Sequence, residues 1–222
     1  MSYTNYSYII YLLIYIRGGI NIFNILSIAI IIFTFLIAFF AGSIPCGYII
    51  AKKFYGIDIT KEGSGNIGST NMKRIIGSKA STMTQVCDIA KGLIPVCIVY
   101  LVSMNWDNES YRYIYLSLAA LTTIIGHDYT PFLGFNGGKG VNTTMGAFFI
   151  MTPIATLSGV AVYFLLKAVT KQVFIRSLAL GLTMLILSWL LGINNIVLIA
   201  LVVANVLLFV RHIPNIKGYL EK

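Results

Sequence analysis

The chain consists of long apolar runs separated by short polar segments. Apolar residues dominate six runs, at positions 25–50, 81–104, 113–125, 141–166, 177–191 and 196–210. A helix needs roughly 20 mostly apolar residues to cross the hydrocarbon core of a bilayer. The pattern therefore predicts an all-α protein that crosses a membrane several times, with its chemistry confined to loops and helix ends.

The number and direction of the crossings follow from one proline and from the placement of the basic residues. The run 141–166 is either one span or two short helices that break at Met151–Pro153. Lysine and arginine concentrate in the cytoplasmic loops of membrane proteins. If the first run enters from outside and 141–166 crosses twice, fourteen of the sixteen basic residues lie inside, and only Arg17 and Arg112 lie outside. We therefore expect seven transmembrane helices, with the N-terminus outside and the C-terminus inside; five crossings is the alternative.

Composition removes several classes of protein from consideration. Hydrophobic residues make up 58% of the 222 residues and charged residues 10%, whereas a soluble domain has about 45–50% and about 25%. A soluble domain, a disordered tail and a disulfide-stapled module are thereby excluded. Cys46, Cys87 and Cys97 show no CxxC spacing, which argues against a disulfide framework or a zinc site. We expect one membrane-embedded domain at 25–222, after an extension of unknown role at 1–24.

The net charge of +9 has a different meaning in a membrane protein than in a soluble one. In a soluble domain, such an excess of basic residues would suggest nucleic acid as the partner. Here the cytoplasmic loops account for most of the positive charge. We therefore expect membrane lipid, and no nucleic acid, around this protein.

The polar segment 63–74 has a composition that suits a phosphate group. Its glycines, Gly65 among them, let the backbone approach a ligand closely, and successive free N–H groups form an anion-binding concavity. Arg74 adds a planar fork that matches phosphate oxygens. Neutral donors come from the side chains of Ser64, Asn66, Thr70 and Asn71. This segment is the first candidate site.

A second candidate is the glycine-rich loop around Lys139. The neighbouring glycines are Gly137, Gly138 and Gly140. A lysine in this setting provides a point charge beside exposed backbone donors. The loop is not a P-loop, because Leu133 stands in place of the first glycine and Gly140 in place of the serine or threonine. A nucleotide hydrolase is therefore not expected.

A third candidate closes the last apolar run, where His212 and Asn215 stand three residues apart. They share one face if the chain is still helical there, although Pro214 is a possible helix end. Each candidate also has a structural interpretation: an ordinary loop, a positive-inside anchor at Lys139 or Arg211, or a structural histidine. All three segments lie on one predicted face of the membrane, and together they indicate a phosphate-binding site.

Two pairs of polar residues are interpreted as structural, with direct contact to a ligand as the alternative for Asp88 and Lys91. Asp88 and Lys91 stand three residues apart at the start of a predicted span and can pair with each other, which lowers the cost of placing charges in a membrane. His127 and Asp128 are adjacent, and adjacent residues do not face each other on a helix. We interpret this second pair as the end of a helix and an anchor for the following loop.

Read together, these segments resemble a known family, the bacterial membrane acyl-phosphate:glycerol-3-phosphate acyltransferases (the PlsY family). The resemblance covers about 25–215 and is carried by Gly42-Ser43-Ile44-Pro45, the whole of 63–74, Asp88-Ile89-Ala90-Lys91-Gly92, Gly126-His127-Asp128-Tyr129-Thr130-Pro131, Gly137-Gly138-Lys139-Gly140-Val141 and Arg211-His212-x-x-Asn215. Two positions depart from the family pattern, because Ser69 and Asn142 stand where the family has alanine.

The resemblance implies a seven-helix fold in the bacterial inner membrane, with the active site facing the cytoplasm. The implied reaction moves an acyl chain from acyl phosphate to the 1-hydroxyl of sn-glycerol 3-phosphate. It gives lysophosphatidic acid and inorganic phosphate, as the first acylation of phospholipid synthesis. The family uses no metal, no other cofactor and no acyl-CoA. A soluble enzyme that makes acyl phosphate is the implied functional partner.

The resemblance also implies roles for individual residues. Ser64 and Arg74 are expected to act on the acyl-phosphate group and its developing charge, Lys139 on a phosphate, and His212 and Asn215 on glycerol 3-phosphate. The residues implied to bind substrate are Gly65, Asn66, Thr70, Asn71, Gly137, Gly138 and Gly140. The substrate phosphate itself is the implied proton acceptor.

Two other functions fit parts of the sequence. A transporter for a phosphorylated solute would use the same loops for binding, but transporters often show internal repeats, and none is visible here. An alcohol phosphotransferase would need clustered aspartates for metal ions, whereas Asp58, Asp88, Asp107 and Asp128 are far apart in the sequence. An HxxxxD pair, typical of another class of acyltransferase, is also missing.

Overall fold

The computed structural model describes Ile22–Glu221, and within this range the chain forms helices and turns without a β-strand. A boundary between two compact units falls at Leu36 and Ile37, within the first helix, and the cavity and the loops described below lie in the second unit. Apart from its last three positions, the predicted extension at 1–24 lies outside the described residues. The α-helices, numbered here in chain order, are α1 (Ile22–Ser43), α2 (Cys46–Tyr55), α3 (Ser69–Ile75), α4 (Ser78–Ser103), α5 (Glu109–Asp128), α6 (Val141–Phe149), α7 (Pro153–Leu165), α8 (Val173–Leu190) and α9 (Asn195–Leu220).

Among the described residues, three helices are long and apolar enough to cross a membrane: α4, α8 and α9. Ile31–Ser43 and α2 pass the same test as a pair bent by 43°. Helix α6 has 9 residues and α7 has 13, and each is shorter than the roughly 20 residues of a full span. The all-α prediction is confirmed, while the seven crossings and the orientation of the termini stay predictions.

Prolines break two of the apolar runs. Pro45 separates α1 from α2, so the run 25–50 is interrupted where the apolar pattern alone suggests one continuous helix. Pro153 is the first residue of α7, and the run 141–166 becomes α6 and α7. Proline lacks an N–H group and clashes with the preceding turn of a helix, but it fits the first helical position. Of the two alternatives for 141–166, the structure has two short helices.

Asparagine side chains cap the N-termini of two of the long helices. The carboxamide oxygen of Asn108 accepts hydrogen bonds from the N–H groups of Ser110 and Tyr111 at the start of α5, at 3.0 and 3.2 Å. The carboxamide oxygen of Asn194 accepts one from Ile196 at the start of α9, at 2.9 Å. Such caps satisfy N–H groups that have no partner within the helix. These polar residues therefore define where the apolar helices begin.

Glycines let α4 and α6 pack backbone against backbone. A Cβ atom at Gly92 would overlap the carbonyl of Thr143, and one at Gly146 would overlap the carbonyl of Ile89. Small residues at helix contacts allow such close approach inside membranes. The contact holds the first turns of α6 against α4, and it thereby positions the loop that precedes α6.

Candidate active site

A cavity of about 640 Å³ lies between the loop before α3, the loop before α6, and helices α4 and α6 to α9. It brings together segments that are far apart in the sequence. Nine of the twelve predicted site residues line it: Ser64, Asn66, Thr70, Asn71, Arg74, Lys139, Gly140, His212 and Asn215. Gly65, Gly137 and Gly138 are not among its lining residues. The three candidate segments therefore form one site.

The loop before α3 is held in shape by the side chain of Asn71. Its carboxamide oxygen accepts a hydrogen bond from the N–H of Ser64 at 3.1 Å, and its NH₂ group donates to the carbonyl of Glu62 at 2.9 Å. Gly63 and Gly65 have positive φ angles of 58° and 68°, a backbone region that favours glycine. Asn71 is buried, so much of its hydrogen-bonding capacity serves the loop itself.

Asn66 connects this loop to the loop before α6. Its carboxamide oxygen accepts from the N–H of Gly68 at 2.9 Å, and its NH₂ group donates to the carbonyl of Gly137 at 3.4 Å. A second connection runs from the NH₂ group of Asn142 to the hydroxyl of Ser69, also at 3.4 Å. The two departures from the family pattern are therefore in contact, and both line the cavity.

The loop before α6 lies tightly against the end of α5. The N–H of Gly137 donates to the carbonyl of Asp128, and the N–H of Gly138 donates to the carbonyl of His127, both at 3.1 Å. A Cβ atom at Gly138 would overlap the His127 ring. These N–H groups are therefore engaged within the fold, and the glycines serve close docking of the loop.

Lys139 follows this docked turn, and its ammonium group reaches across the cavity to α9. It donates a hydrogen bond to the carboxamide oxygen of Asn215. Burial lowers the pKa of Lys139, and the positive charges of Arg211 and Arg74 lower it further. Within the described part of the chain, no carboxylate forms an ion pair with Lys139 or Arg74. Two cations without counter-ions face the same cavity, an arrangement that favours an anionic ligand.

His212 is placed to accept a proton or a hydrogen bond. The ring is buried, and its Nδ1 lies 2.7 Å from the carbonyl of Leu208. A carbonyl only accepts, so Nδ1 must carry the hydrogen, which leaves Nε2 as an acceptor in the neutral ring. Helix α9 continues through Pro214 to Leu220. His212 and Asn215 therefore lie on one face of a helix, and both line the cavity.

The charged pair of α4 is buried next to the site. Lys91 Nζ lies 3.1 Å from Asp88 Oδ1 and donates to the carbonyl of Ile44 at 2.7 Å. The predicted pairing of Asp88 with Lys91 is therefore present. His127 Nδ1 lies 3.7 Å from the same Asp88 oxygen. Asp88 and His127 also line the cavity, a position that is compatible with the alternative of ligand contact for Asp88 and that the structural interpretation of His127 did not include.

A large part of the remaining cavity wall is apolar. The apolar side chains come from α4, α6, α7 and α8, and they include Ile89, Leu93, Met145, Phe149, Leu157, Val160, Phe164 and Leu180. A cavity with a cationic, donor-rich part and an apolar part matches a ligand with a charged head and a hydrocarbon tail.

Several lining residues were not singled out in the sequence. Polar examples are Gln85, Tyr163, Lys171, Gln172 and Ser177. They lie on α4, α7 and α8 or in the loop between α7 and α8, and no sequence motif marks them as site residues. A hydroxyl in an apolar run, such as that of Ser177, is the kind of signal that could have suggested one of them. Arg211 stands in the Arg211-His212-x-x-Asn215 motif and was interpreted as a positive-inside anchor, whereas the structure places it against the loop that carries Lys139.

Comparison with known sequences gives consistent matches over most of the chain. A family model described as glycerol-3-phosphate acyltransferase matches residues 32–222. A glycerol-3-phosphate acyltransferase of Clostridium acetobutylicum is 50% identical over 187 residues, which cover 84% of this chain and 94% of the relative. One from Helicobacter pylori is 39% identical over 158 residues, 68% of each chain. One from Trichlorobacter lovleyi is 35% identical over 179 residues, 81% of this chain and 88% of the relative.

Comparison of structures finds the same kind of protein. The fold matches two crystal structures of PlsY (YgiH), an integral membrane glycerol 3-phosphate acyltransferase, one in its glycerol 3-phosphate form and one in its lysophosphatidic acid form. The TM-scores are 0.78 and 0.76 at 30% sequence identity, and each match covers 86% of this chain and 92% of the other. The likeness therefore includes both the fold and the sequence.

Proposed function

The chain belongs to the glycerol-3-phosphate acyltransferase family, and from this membership we propose that acyl phosphate is its acyl donor. In the proposed reaction, the 1-hydroxyl of sn-glycerol 3-phosphate receives the acyl chain. The products are 1-acyl-sn-glycerol 3-phosphate, which is lysophosphatidic acid, and inorganic phosphate. The observation that carries the proposal is the cavity itself, in which Arg74 and Lys139, without an ion pair among the described residues, stand beside apolar walls.

The chemistry of an acyl phosphate explains why cations and neutral hydrogen-bond donors are enough for the proposed transfer. In the proposed step, the hydroxyl oxygen of glycerol 3-phosphate attacks the acyl carbonyl carbon, a new ester bond forms, and the bond from that carbon to the phosphate oxygen breaks. Phosphate is a good leaving group, so no covalent enzyme intermediate is required. The enzyme contributes by holding two anionic substrates in reacting geometry and by stabilising the developing charge. Cations and neutral donors serve both purposes.

The proposed roles follow the positions of the side chains. Ser64, Thr70 and Arg74, from the loop and first turns around α3, bind the phosphate of the donor. Lys139, His212 and Asn215 bind glycerol 3-phosphate from the opposite side of the cavity. The positive charge of Arg74 contributes to lowering the pKa of Lys139, and a bound anion would offset this effect. The acyl chain lies along the apolar walls between α4, α6, α7 and α8.

The hydroxyl proton has two possible acceptors in this site. In the proposal it passes to the departing phosphate, whose oxygens become more basic as the bond to the acyl carbon breaks. The alternative acceptor is Nε2 of His212, which geometry leaves unprotonated in the neutral ring. The His212 variant described in the Discussion separates these routes.

The experiment that tests the function is phosphate release by the purified protein. Palmitoyl phosphate is supplied with and without sn-glycerol 3-phosphate, and palmitoyl-CoA serves as the parallel donor. We expect release that depends on the acceptor, with one lysophosphatidic acid formed per phosphate and no transfer from the CoA ester. Transfer from palmitoyl-CoA would contradict the proposed donor. A folded sample with no acceptor-dependent release would favour the transporter alternative, in which the site binds phosphate without chemistry.

The proposed location is the bacterial inner membrane, with the cavity open to the cytoplasm. Support comes from the basic residues, which fall almost entirely on one side when seven crossings are assumed. Glycerol 3-phosphate is a charged solute of the cytoplasm, and a cavity on that side would take it up directly. The donor would be supplied by a soluble enzyme that makes acyl phosphate and releases it at the membrane.

A further inference from the structure

The side chain of Arg211 is bound to the backbone of the loop that carries Lys139. Its Nε donates to the carbonyl of Gly138 at 2.9 Å, and its Nη2 donates to the carbonyls of Gly138 and Gly137 at 2.8 and 3.0 Å. The guanidinium also stacks over the ring of Tyr129, 5.1 Å from its centroid. Arg211 is not among the residues that line the cavity. Its contacts are therefore with the loop, and any effect on substrate passes through that loop.

The opposite side of the same turn is bound to α5. The N–H groups of Gly137 and Gly138 donate to the carbonyls of Asp128 and His127. The N–H groups of both glycines are thus bound to the end of α5, and their C=O groups are bound to Arg211. A turn fixed on both sides leaves Lys139, the next residue, little freedom in where its side chain begins.

Helix α9 holds this loop at a second point. Asn215 accepts the hydrogen bond of the Lys139 ammonium, and it stands four residues after Arg211 on the same helix face. Arg211 therefore fixes the backbone at the base of Lys139, while Asn215 meets the tip of its side chain. Two contacts from α9 therefore fix both the backbone next to Lys139 and its ammonium group.

Electrostatics gives the guanidinium a second effect. Carbonyl oxygens carry partial negative charge, and two of them at the base of Lys139 would weaken the attraction of this side of the site for a phosphate. Arg211 covers the oxygens of Gly137 and Gly138, and the NH₂ group of Asn66 also donates to the first of them at 3.4 Å. The loop then presents positive charge to the cavity.

We propose that Arg211 is a positioning residue of this site: its guanidinium fork holds the Gly137–Gly138 turn and thereby places the ammonium of Lys139. The part of the proposal that concerns catalysis rests on the acyl transfer proposed above. The competing explanation is that Arg211 serves only as a positive-inside anchor, as its place near the end of the last apolar run suggested. A lysine would serve as such an anchor equally well, but it cannot form the same planar fork.

The first test measures the loop directly. Backbone hydrogen exchange is followed by mass spectrometry on peptides covering 134–140, for the intact protein in detergent micelles. We expect exchange at Gly137 and Gly138 to become at least about 10-fold faster in Arg211→Lys and Arg211→Met, because the turn opens more often without the fork. Lys217→Met, which removes an exposed positive charge from the same helix, is the matched control and should keep the exchange of the unmodified protein.

The second test measures turnover in the acceptor-dependent phosphate release assay. Arg211→Lys should lose about 10- to 100-fold in kcat/KM for glycerol 3-phosphate, a loss typical of a misplaced binding group. The hydrolysis of palmitoyl phosphate without acceptor should change far less. Lys217→Met should retain full activity. If Arg211→Met fails to fold, Arg211→Ala assayed with added methylguanidinium replaces it, and recovery of activity with that compound is expected.

The outcomes separate the proposal from its alternatives. If Arg211→Lys keeps both the exchange and the kinetics of the unmodified protein, Arg211 is only an anchor and the proposal is overturned. A loss of activity with unchanged exchange also overturns it, because Arg211 would then act without holding the loop. If the unmodified protein shows no acceptor-dependent release, the acyl-transfer function fails, and the exchange experiment still decides whether Arg211 holds the turn.

Discussion

At the scale of single residues, the site is defined by cations that lack carboxylate partners. Lys91 has its buried partner in Asp88, whereas Arg74 and Lys139 face the cavity without an ion pair among the described residues. Lys139 is half-buried whereas Arg74 is exposed, and a half-buried cation without a counter-ion costs free energy in the empty protein. Binding of a phosphate recovers this cost, so the arrangement contributes to affinity for anions.

This arrangement predicts a specific pH dependence at Lys139. Its pKa lies below that of an ordinary lysine because of burial and of the charges of Arg211 and Arg74. The ammonium is therefore lost as pH rises through a lower value than usual, and kcat/KM should fall on the alkaline side. Lys139→Arg should move this fall to higher pH, since arginine stays charged throughout, and Lys139→Met should lose about 100- to 1,000-fold in kcat/KM.

The check is a profile of kcat/KM for glycerol 3-phosphate against pH, with Lys217→Met as the control. An alkaline fall that stays at the same pH in Lys139→Arg would assign it to another group. The hydrolysis of palmitoyl phosphate alone, measured in parallel, shows whether breakdown of the donor limits the pH range of the profile.

A second residue-scale prediction concerns His212. Its Nε2 is the acceptor of the neutral ring. In the proposed role it accepts a hydrogen bond from a hydroxyl of glycerol 3-phosphate, so His212→Ala should raise KM for glycerol 3-phosphate about 10-fold. If phosphate is the proton acceptor, the dependence of kcat on pH should keep its shape. Disappearance of an acid limb from the kcat profile, with glycerol 3-phosphate still binding, would instead identify His212 as the base.

At the scale of elements, the site depends on contacts that fix loops to helices. The loop before α3 is tied to the loop before α6 by Asn66, and α3 is tied to α6 by the Ser69–Asn142 hydrogen bond. Helix α6 is in turn fixed to α4 by the close approach at Gly146. The donor and acceptor sides of the cavity are therefore joined through short polar links and one tight helix contact.

The Ser69–Asn142 link should behave as a coupled pair. The family resemblance implies alanine at both positions. The double variant Ser69→Ala with Asn142→Ala should therefore fold and remain active. Each single alanine variant leaves one polar group without its partner. A double-mutant cycle on the free energy of unfolding in micelles should give a coupling of about 0.5–1.5 kcal/mol. Strict additivity of the two substitutions would show that the contact contributes nothing.

The contact between α4 and α6 predicts a strong effect at Gly146. A Cβ atom there would overlap the carbonyl of Ile89, so Gly146→Ala should push the helices apart and lower the thermal midpoint and activity together. Gly218→Ala is the matched control, because nothing lies within 4 Å of its Cβ position and alanine favours helix. Equal midpoints for the two variants would contradict the tight contact.

At the scale of the whole molecule, the helices differ in how well they fit a bilayer. Helices α4, α8 and α9 are long enough to cross it, while α6 and α7 are short and meet at a break. The short helices α6 and α7 both contribute apolar side chains to the cavity.

The predicted orientation is testable with fusions to the chain ends. With seven crossings and the N-terminus outside, the C-terminus lies in the cytoplasm. A green fluorescent protein joined after Lys222 should fluoresce, and an alkaline phosphatase at the same position should be inactive. Fusions after Asp107, in the loop between α4 and α5 that is expected outside, serve as the control and should give the opposite pattern. An active phosphatase after Lys222 would overturn the predicted topology.

The sequence alone determined those features of the protein that depend on hydropathy and on motifs, because both are local properties of the chain. It determined the helical membrane character, the break near Pro153 and the three segments that meet in the cavity. Nine of the twelve predicted site residues line that cavity. The pairing of Asp88 with Lys91 was also predictable, because it needs only a separation of three residues on one helix.

The tertiary structure decided what depends on contacts between distant parts of the chain. The binding of Arg211 to the carbonyls of Gly137 and Gly138, and of Asn66 to the first of them, joins residues about 70 positions apart. No periodicity in the sequence reports such contacts. The same reason explains why the apolar walls and Ser177 were not anticipated: a cavity is formed by the packing of several helices, and each helix alone shows only an apolar run.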